Sequence, residues 1–576
     1  MRQIRFHATL LAALVLFSAA TATHAAWVPD GTPLSVAASN QQDPMIVSDD
    51  AGGAIVVWRD YRGGTGDIYA QRVDASGNPQ WTANGIGVCL ETHAQDWPTI
   101  VSDGVGGAIV AWEDGRNYPF SNIYVQRVDA SGVPQWTANG VALNAAAYEQ
   151  RRTTIAPDGA GGAVIAWCDY RSGTNYDIYA QRVNAAGVPQ WTAGGVPLCT
   201  APHNQFTTTP ASIPSIVSDG AGGAIVSWFD HRNSVEAADI YAQRVNASGT
   251  LLWTLDGVAV CTDPGEQDYP TIVSDGDAGA IVTWWDSRSG DADVYAQRLN
   301  ALGAPQWTNQ GVLVCGAAND QLVAAMIPDG SGGAILVWGD RRAQQDKVNI
   351  FQIYAQRVNA SGTPQWVNDG VAVCVAPNGQ FNPKLASDDA GGAIVTWYDF
   401  RSGIKDDIYA QRVDAQGATQ WTTDGVAVCL AAQHQFSPTI VSDGSGGAIV
   451  AWYDHRSGTN DDIYVQHLNA AGNAITTAVP ASGTPALFVG QLYPNPFSTS
   501  ATLDIEAPAA SRVEINIYDV AGRAVRTIQA PDTGAGLRSV LLDGRDAQGR
   551  LLANGVYFCR VRANGASITR KIVIAR

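Results

Sequence analysis

Eight times along the chain an aspartate and an arginine stand two residues apart in the pattern Trp-x-Asp-x-Arg, as in "WEDGR" (112–116) and "WYDHR" (452–456). The arginines are Arg62, Arg116, Arg171, Arg232, Arg288, Arg342, Arg401 and Arg456. A glutamine recurs as often, read in the loop from the fourth strand of one unit to the first of the next, at Gln41, Gln95, Gln150, Gln205, Gln267, Gln321, Gln380 and Gln435. A guanidinium grips carboxylates in a bidentate fork, so two such rings with flanking aromatics would suit a carboxylate-bearing or sugar ligand. The other use is internal: each arginine pairs with its own aspartate or with the acid before "IY" (Asp67, Asp177, Asp239, Asp407), and each glutamine caps loop backbone. Presence in every repeat favours the internal use, because a ligand site usually needs only some repeats.

Other chemistry is sparse. The repeats hold Glu91, Glu113, Glu149, Glu236 and Glu266, none at a repeated position, so no carboxylate pair for glycoside hydrolysis stands out. His93, His203, His231, His434, His455 and His467 fall in no nucleophile motif. Sialidases are propellers with an arginine cluster, but their S-x-D-x-G-x-T-W box is unmatched, since "SDGSGGAIVAW" (442–452) places its Trp too late. No catalytic residue is assigned. Neither CxxC nor clustered His argues for a metal, and the acidic loops lack EF-hand spacing for Ca²⁺, so no cofactor is expected.

The elements that would position these side chains come as an array. Its turn aspartates, Asp49, Asp103, Asp158, Asp219, Asp275, Asp329, Asp388 and Asp443, recur every 54 to 61 residues. Each unit reads as four short strands, of the type "PTIVS", "AIVAWYD", "DIYAQRVN" and "GVAVC". Glycines in "DGxGG" supply the positive φ of a tight hairpin. Four antiparallel strands repeated about an axis make a β-propeller, which hides its sheet edges by radial repetition. The 2–3 and 4–1 loops share one face, and they vary most, from "DYRGGTGD" (60–67) to "DRRAQQDKVNIFQ" (340–352). That face is where a site is expected.

The last unit stops at "QHLNAAGNAITTAVP" (466–480) without a fourth strand, while "WVPDGTPLS" (27–35) aligns with "WTTDGVAVC" (421–429). An N-terminal strand that completes the last blade closes the ring. Six cysteines, Cys89, Cys199, Cys261, Cys315, Cys374 and Cys429, end the fourth strands, with Ser35 and Asn144 in the same slot elsewhere. Equivalent points on packed sheets lie about 10 Å apart, too far for a disulfide, so these read as small buried apolar groups.

Residues 1–25 have the layout of a secretory signal peptide, with Arg2 and Arg5, an apolar run and a small-residue end. No later stretch approaches the apolar length of a membrane helix. The formal charge of -18 disfavours nucleic acid as a partner. After the eight-bladed propeller (26–478) and a linker (479–489), residues 490–576 contain "YPNPF", "YDVAGR", "GVYF" and a basic, apolar end, in alternating strands that suit a small β-sandwich. They resemble the type A sorting domain of the type IX secretion system and equally the FlgD-type immunoglobulin-like domain. One departure is "LLDGRD", where the FlgD-like pattern usually has Trp before Asp-Gly. The sorting resemblance implies the outer-membrane secretion machinery as partner.

The sequence thus predicts an all-β chain: an eight-bladed propeller closed by an N-terminal strand, then an immunoglobulin-like sandwich. The expected role is an exported, non-catalytic binding scaffold, secreted or surface-attached, monomeric, with a glycan or protein ligand. The alternatives are a lectin using the variable-loop face and a propeller glycoside hydrolase.

Overall fold

Runs of β-branched and aromatic residues broken by glycine and aspartate fold as short antiparallel strands throughout this chain. The computed structural model describes residues 27–474 except 145–146, 206–212, 235–236 and 344–349, and residues 488–575 except 494–496, 498, 508–512, 521, 530–535 and 564–565. The expected signal peptide (1–25) and residues 479–487 of the expected linker lie outside the described residues. Two units emerge, Met1–Thr477 and Ala478–Arg576.

The first unit is the propeller. Blade 5 shows the plan: Gln267–Ser274, Ala280–Asp286, Asp293–Leu299 and Val312–Cys315 lie side by side in chain order, from the innermost strand to the outermost. The innermost strands of blades 1 to 8 begin at Gln41, Gln95, Gln150, Ser215, Gln267, Gln321, Gln380 and Gln435. Each packs on the next, and Gln435–Ser442 packs on Gln41–Ser48, so the ring is closed. In blade 8 the outermost place is taken by Thr32–Ser35, whose Thr32 and Ser35 pair with Val465 and Ile463.

Tryptophan explains why this closure is specific. The eight indoles of Trp-x-Asp-x-Arg are buried, and each Nε1 donates to the following aspartate, as Trp452 does to Asp454 at 2.8 Å. Their rings leave no room for a side chain at the turn before the outer strand: a Cβ on Gly31 (φ +97°) would lie 2.5 Å from Trp452, as one on Gly85 would from Trp58. The second tryptophans join neighbouring blades. Trp27 donates to the Ala75 carbonyl of blade 1 at 3.1 Å, and Trp81 does the same to Ala130 of blade 2.

The repeated glutamines differ from expectation in one respect. Except in blade 4, each opens the innermost strand rather than lying in the 4–1 loop, paired in register with the aspartate of Asp-x-Arg (Gln95 with Asp114). Just after it the register shifts, between Asp96 and Thr99 in blade 2. At this bulge a non-glycine residue takes φ between +48° and +57°: Asp43, Trp97, Arg152, Tyr269, Asn382 or Ser437. Proline follows in five of these six, where its missing N–H costs no ladder bond.

The second unit has two sheets, ordered Phe488–Tyr493, Ala501–Ala507, Gly536–Leu542 and Ala524–Gln529, Glu514–Asp519, Gly555–Ala563, Ala566–Ile574. Leu503, Ile505, Ile515, Val540, Cys559 and Ile572 fill the space between them. Phe497, from "YPNPF", is buried and exchanges backbone bonds with Val573 and Ala575.

Candidate functional site

The two repeated rings are bound into the scaffold. Arg62 lays its Nε and Nη2 on the two oxygens of buried Asp60 at 2.9 and 2.5 Å, and also donates to the Asn84 carbonyl. Arg116, Arg171, Arg288, Arg342, Arg401 and Arg456 repeat this fork. The Arg232 guanidinium holds Asp230 through Nη2, and the Arg232 backbone N–H takes the other oxygen. Each guanidinium lies 3.6 to 4.1 Å from the centre of a tyrosine ring on the third strand, from Arg62 over Tyr69 to Arg456 over Tyr464. The eight glutamines are buried, and their amide nitrogens donate to loop carbonyls, as Gln41 does to Ser39 at 2.8 Å. Their Oε1 atoms have no protein partner among the described residues. The acids before "IY" do not pair with the ring arginines; burial lifts Asp67, Asp177 and Asp462 to about 6.

The cysteine slot is polar rather than apolar. Arg116 of blade 2 donates to Cys89 of blade 1 at 3.2 Å, and the thiol faces Asp114 at 3.6 Å. Arg456 and Asp454 hold Cys429 likewise, at 3.3 and 3.7 Å. Ser35 accepts from Arg62 in the same way, which explains why a hydroxyl serves there. All eight cysteines are unbridged and buried.

What distinguishes one blade from another is the position between Trp and Asp on the second strand, together with its cross-strand partner after the glutamine. These pairs are Gln42–Arg59, Asp96–Glu113, Arg151–Cys168, Asp268–Trp285, Leu322–Gly339, Phe381–Tyr398 and Phe436–Tyr453. Alternation turns these side chains away from the neighbours that carry the repeated Asp and Trp. The bulge residue beside each pair is re-aimed by its positive φ.

Blades 1 to 3 fill these positions with charge. Between blades 2 and 3 lies a cleft of about 250 Å³ lined by Asp96, Trp97, Glu113, Tyr118, Phe120, Glu149, Arg151 and Arg152, on the variable-loop face. Glu113 is buried, and its Oε1 accepts the Arg152 backbone N–H at 2.7 Å. Burial pushes its carboxyl up to about 7, opposed by that bond and by the charges of Arg152 and Arg151. Arg59 of blade 1 bridges Asp43 and Asp96 at 2.8 and 2.9 Å. Arg152 lies over the Trp97 ring at 4.6 Å. Glu149 pairs with Arg151 and accepts the Tyr176 hydroxyl at 2.9 Å. Trp97, Tyr118 and Phe120 keep 38%, 76% and 38% of their surface exposed.

Blades 7 and 8 fill the same positions with rings, and Phe351 of blade 6 extends the row. Phe351, Phe381, Tyr398, Phe436 and Tyr453 follow one another at centroid spacings of 5.3 to 5.9 Å. A second cleft of about 200 Å³ lies among Leu322, Phe351, Phe381 and Tyr398. Among the described residues no group of three or more His, Cys, Asp or Glu is placed to hold a metal ion.

Glu113, Glu149, Arg151, Arg152 and Trp97 were thus not marked by the repeat, which draws attention to what every blade shares. The available signal was departure from the repeat. At the residue before the second-strand Asp the array reads Arg, Glu, Cys, Phe, Trp, Gly, Tyr, Tyr, whereas its flanks are constant.

Fold and site together define an eight-bladed β-propeller with one asymmetric loop face, joined to an immunoglobulin-like β-sandwich. Residues 495–567 match the family model of the FlgD Ig-like domain. A comparison with curated proteins gives no match. Among solved structures, the chain is similar to a protein of unknown function from Dyadobacter fermentans DSM 18053, at 10% identity over 77% of this chain and 98% of that one, with TM-score 0.34. It is similar to the Penicillium chrysogenum α-L-arabinanase complexed with arabinobiose, at 10% identity over 59% and 94%, with TM-score 0.30. It is also similar to a Bombyx mori GH32 β-fructofuranosidase, at 10% identity over 74% and 86%, with TM-score 0.29. None of these carries an activity over to this chain.

Proposed function

We propose that this protein is an exported, non-catalytic binding scaffold, secreted or held at the cell surface. Its propeller takes a ligand at the cleft between blades 2 and 3, and its C-terminal module serves sorting across the outer membrane. The observation that carries the binding reading is the asymmetry of the loop face: residues shared by all blades are engaged within the scaffold, whereas the charged and exposed aromatic residues of the cleft stand at positions that vary from blade to blade. The signal-like segment 1–25 and the motifs of the second unit support export. Probing glycan and peptide arrays with the wild-type chain and with Tyr118→Ala tests the reading. Binding that the variant loses supports it; binding that the variant retains, or none, counts against the cleft.

A hydrolase is the second reading, favoured by Glu113 alone, because a carboxyl near 7 can hold and release a proton at neutral pH. Release of reducing ends from bound glycans, abolished by Glu113→Gln, would establish it.

A further inference from the structure

The ligand's chemistry follows from how the cleft's charges are already spent. Glu149 has Arg151 on one oxygen and the Tyr176 hydroxyl on the other. Asp96 has Arg59, which also holds Asp43. Glu113 accepts the Arg152 N–H, while the Arg152 guanidinium covers Trp97. An anionic ligand that takes Arg151 or Arg59 draws that arginine away from its carboxylate, and one that takes Arg152 competes with the Trp97 ring it covers. A cationic one finds Trp97 already occupied by guanidinium. Either breaks a contact already made within the cleft.

Hydroxyl groups impose no such exchange. A carboxylate keeps spare lone pairs and a guanidinium spare N–H groups after one contact, so an ion pair still presents donors and acceptors side by side. The half-exposed Glu149–Arg151 pair has this form, with side-chain exposures of 21% and 46%. Adjacent hydroxyls on a sugar ring each donate and accept, and match it without separating the charges. Beside the pair, Tyr118 and Phe120 expose flat apolar rings on the same cleft, and one face of a sugar ring is a sheet of C–H groups.

We propose that the cleft between blades 2 and 3 binds a neutral glycan, with vicinal hydroxyls on the Glu149–Arg151 pair and a C–H face on Tyr118 and Phe120. The proposal rests on the reading of this cleft as the ligand site and adds the ligand's class.

The test is calorimetric titration of the full chain with two sets of oligosaccharides. The neutral set is cellohexaose, laminarihexaose, mannohexaose, xylohexaose and arabinohexaose; the charged set is hexagalacturonate and a chitosan hexamer. Each is run at about 50 and about 500 mM salt, since exposed charge pairing is screened across that range. The expected result is that a neutral oligomer binds, with a Kd that moves by less than about twofold with salt. Tyr118→Ala, at unchanged melting temperature, and Glu149→Gln should each weaken it by about tenfold or more. Tyr118 is largely exposed, so its removal spares the fold. Binding confined to a charged oligomer, salt-sensitive and lost in the same variants, overturns the neutral class while leaving the cleft as the site. Binding of a neutral oligomer unaffected by either variant overturns the cleft itself, and no binding in either set overturns both.

Discussion

His467 sets its Nε2 2.7 Å from a carboxylate oxygen of Asp443, at the place where each other blade sets an arginine on its turn aspartate. Arg72 on Asp49 and Arg412 on Asp388, both at 2.9 Å, are two of the seven. Those arginines reach on to a carbonyl of the next blade, Ala130 for Arg72 and Ala470 for Arg412. At the seam the imidazole spends its Nε2 on Asp443 and presents a ring to Trp27 instead, edge-on at 5.5 Å. The seam thus lacks the arginine-to-carbonyl hydrogen bond that the other junctions make at this position.

His467→Arg should therefore stabilise the propeller. A guanidinium would keep the Asp443 contact and add a donor towards blade 1, a gain of about 1–2 kcal/mol for a charge-assisted bond. Chemical denaturation measures it. An unchanged or lower midpoint would show that the Trp27 contact, rather than reach, selects histidine here.

Removing residues 26–36 should cost far more, because it strips the outermost strand from blade 8 and empties the site of a buried indole. Trp27→Ala alone should cost about 3–5 kcal/mol on the scale of aromatic truncations. If the deletion left the melting temperature where it was, the strand exchange at the seam would not be what closes the ring.

Stability should fall as pH rises from about 4 to about 7. Burial lifts Asp67, Asp177 and Asp462 to about 6 and Glu113 and Asp268 to about 7. A carboxyl raised in the folded state holds its proton more tightly there than in the unfolded chain. Its contribution is complete below the unfolded value, near 4, and is lost as pH passes through about 6 to 7. Asp443 runs the other way: against the effect of burial, bonds from His467, Ser445 and Gly447 hold it below the usual carboxylate range, so its contribution fades only in acid. Melting temperatures across this range should decline, and Glu113→Gln should flatten the decline.

The blades and their closure were legible because a repeat records packing: an indole, a turn glycine and an Asp-x-Arg must recur wherever the same contacts recur. The truncated last unit even announced its missing strand. The cleft was not legible, for the converse reason. Glu113 and Arg152 come from different blades, Asp96 and Arg59 likewise, and their meeting depends on a bulge that turns Trp97 and Arg152 to positive φ. No local pattern marks that bulge except the proline after some of these residues. The chemistry of the cysteine slot was hidden too, since its partners lie in the following blade.

That slot gives a last, discriminating prediction. Sulfur at Cys429 takes an N–H from Arg456 and has the Asp30 carbonyl and Asp454 within reach of its S–H. Cys429→Ser preserves a donor and an acceptor, as Ser35 does at the junction of blades 8 and 1, and should be nearly neutral. Cys429→Val fills the same volume but removes one polar contact from Arg456, which keeps Asp454 and the Asp30 carbonyl, so it should cost about 0.5–1.5 kcal/mol. An apolar slot would invert the order, valine being tolerated and serine penalised. The same burial pushes the thiols of Cys89, Cys261, Cys315 and Cys374 up to about 12, so thiol reagents should find the cysteines only as the ring unfolds. Denaturation midpoints of the two variants, with labelling followed through the transition, decide whether the sulfur serves as a polar link between blades or as filling.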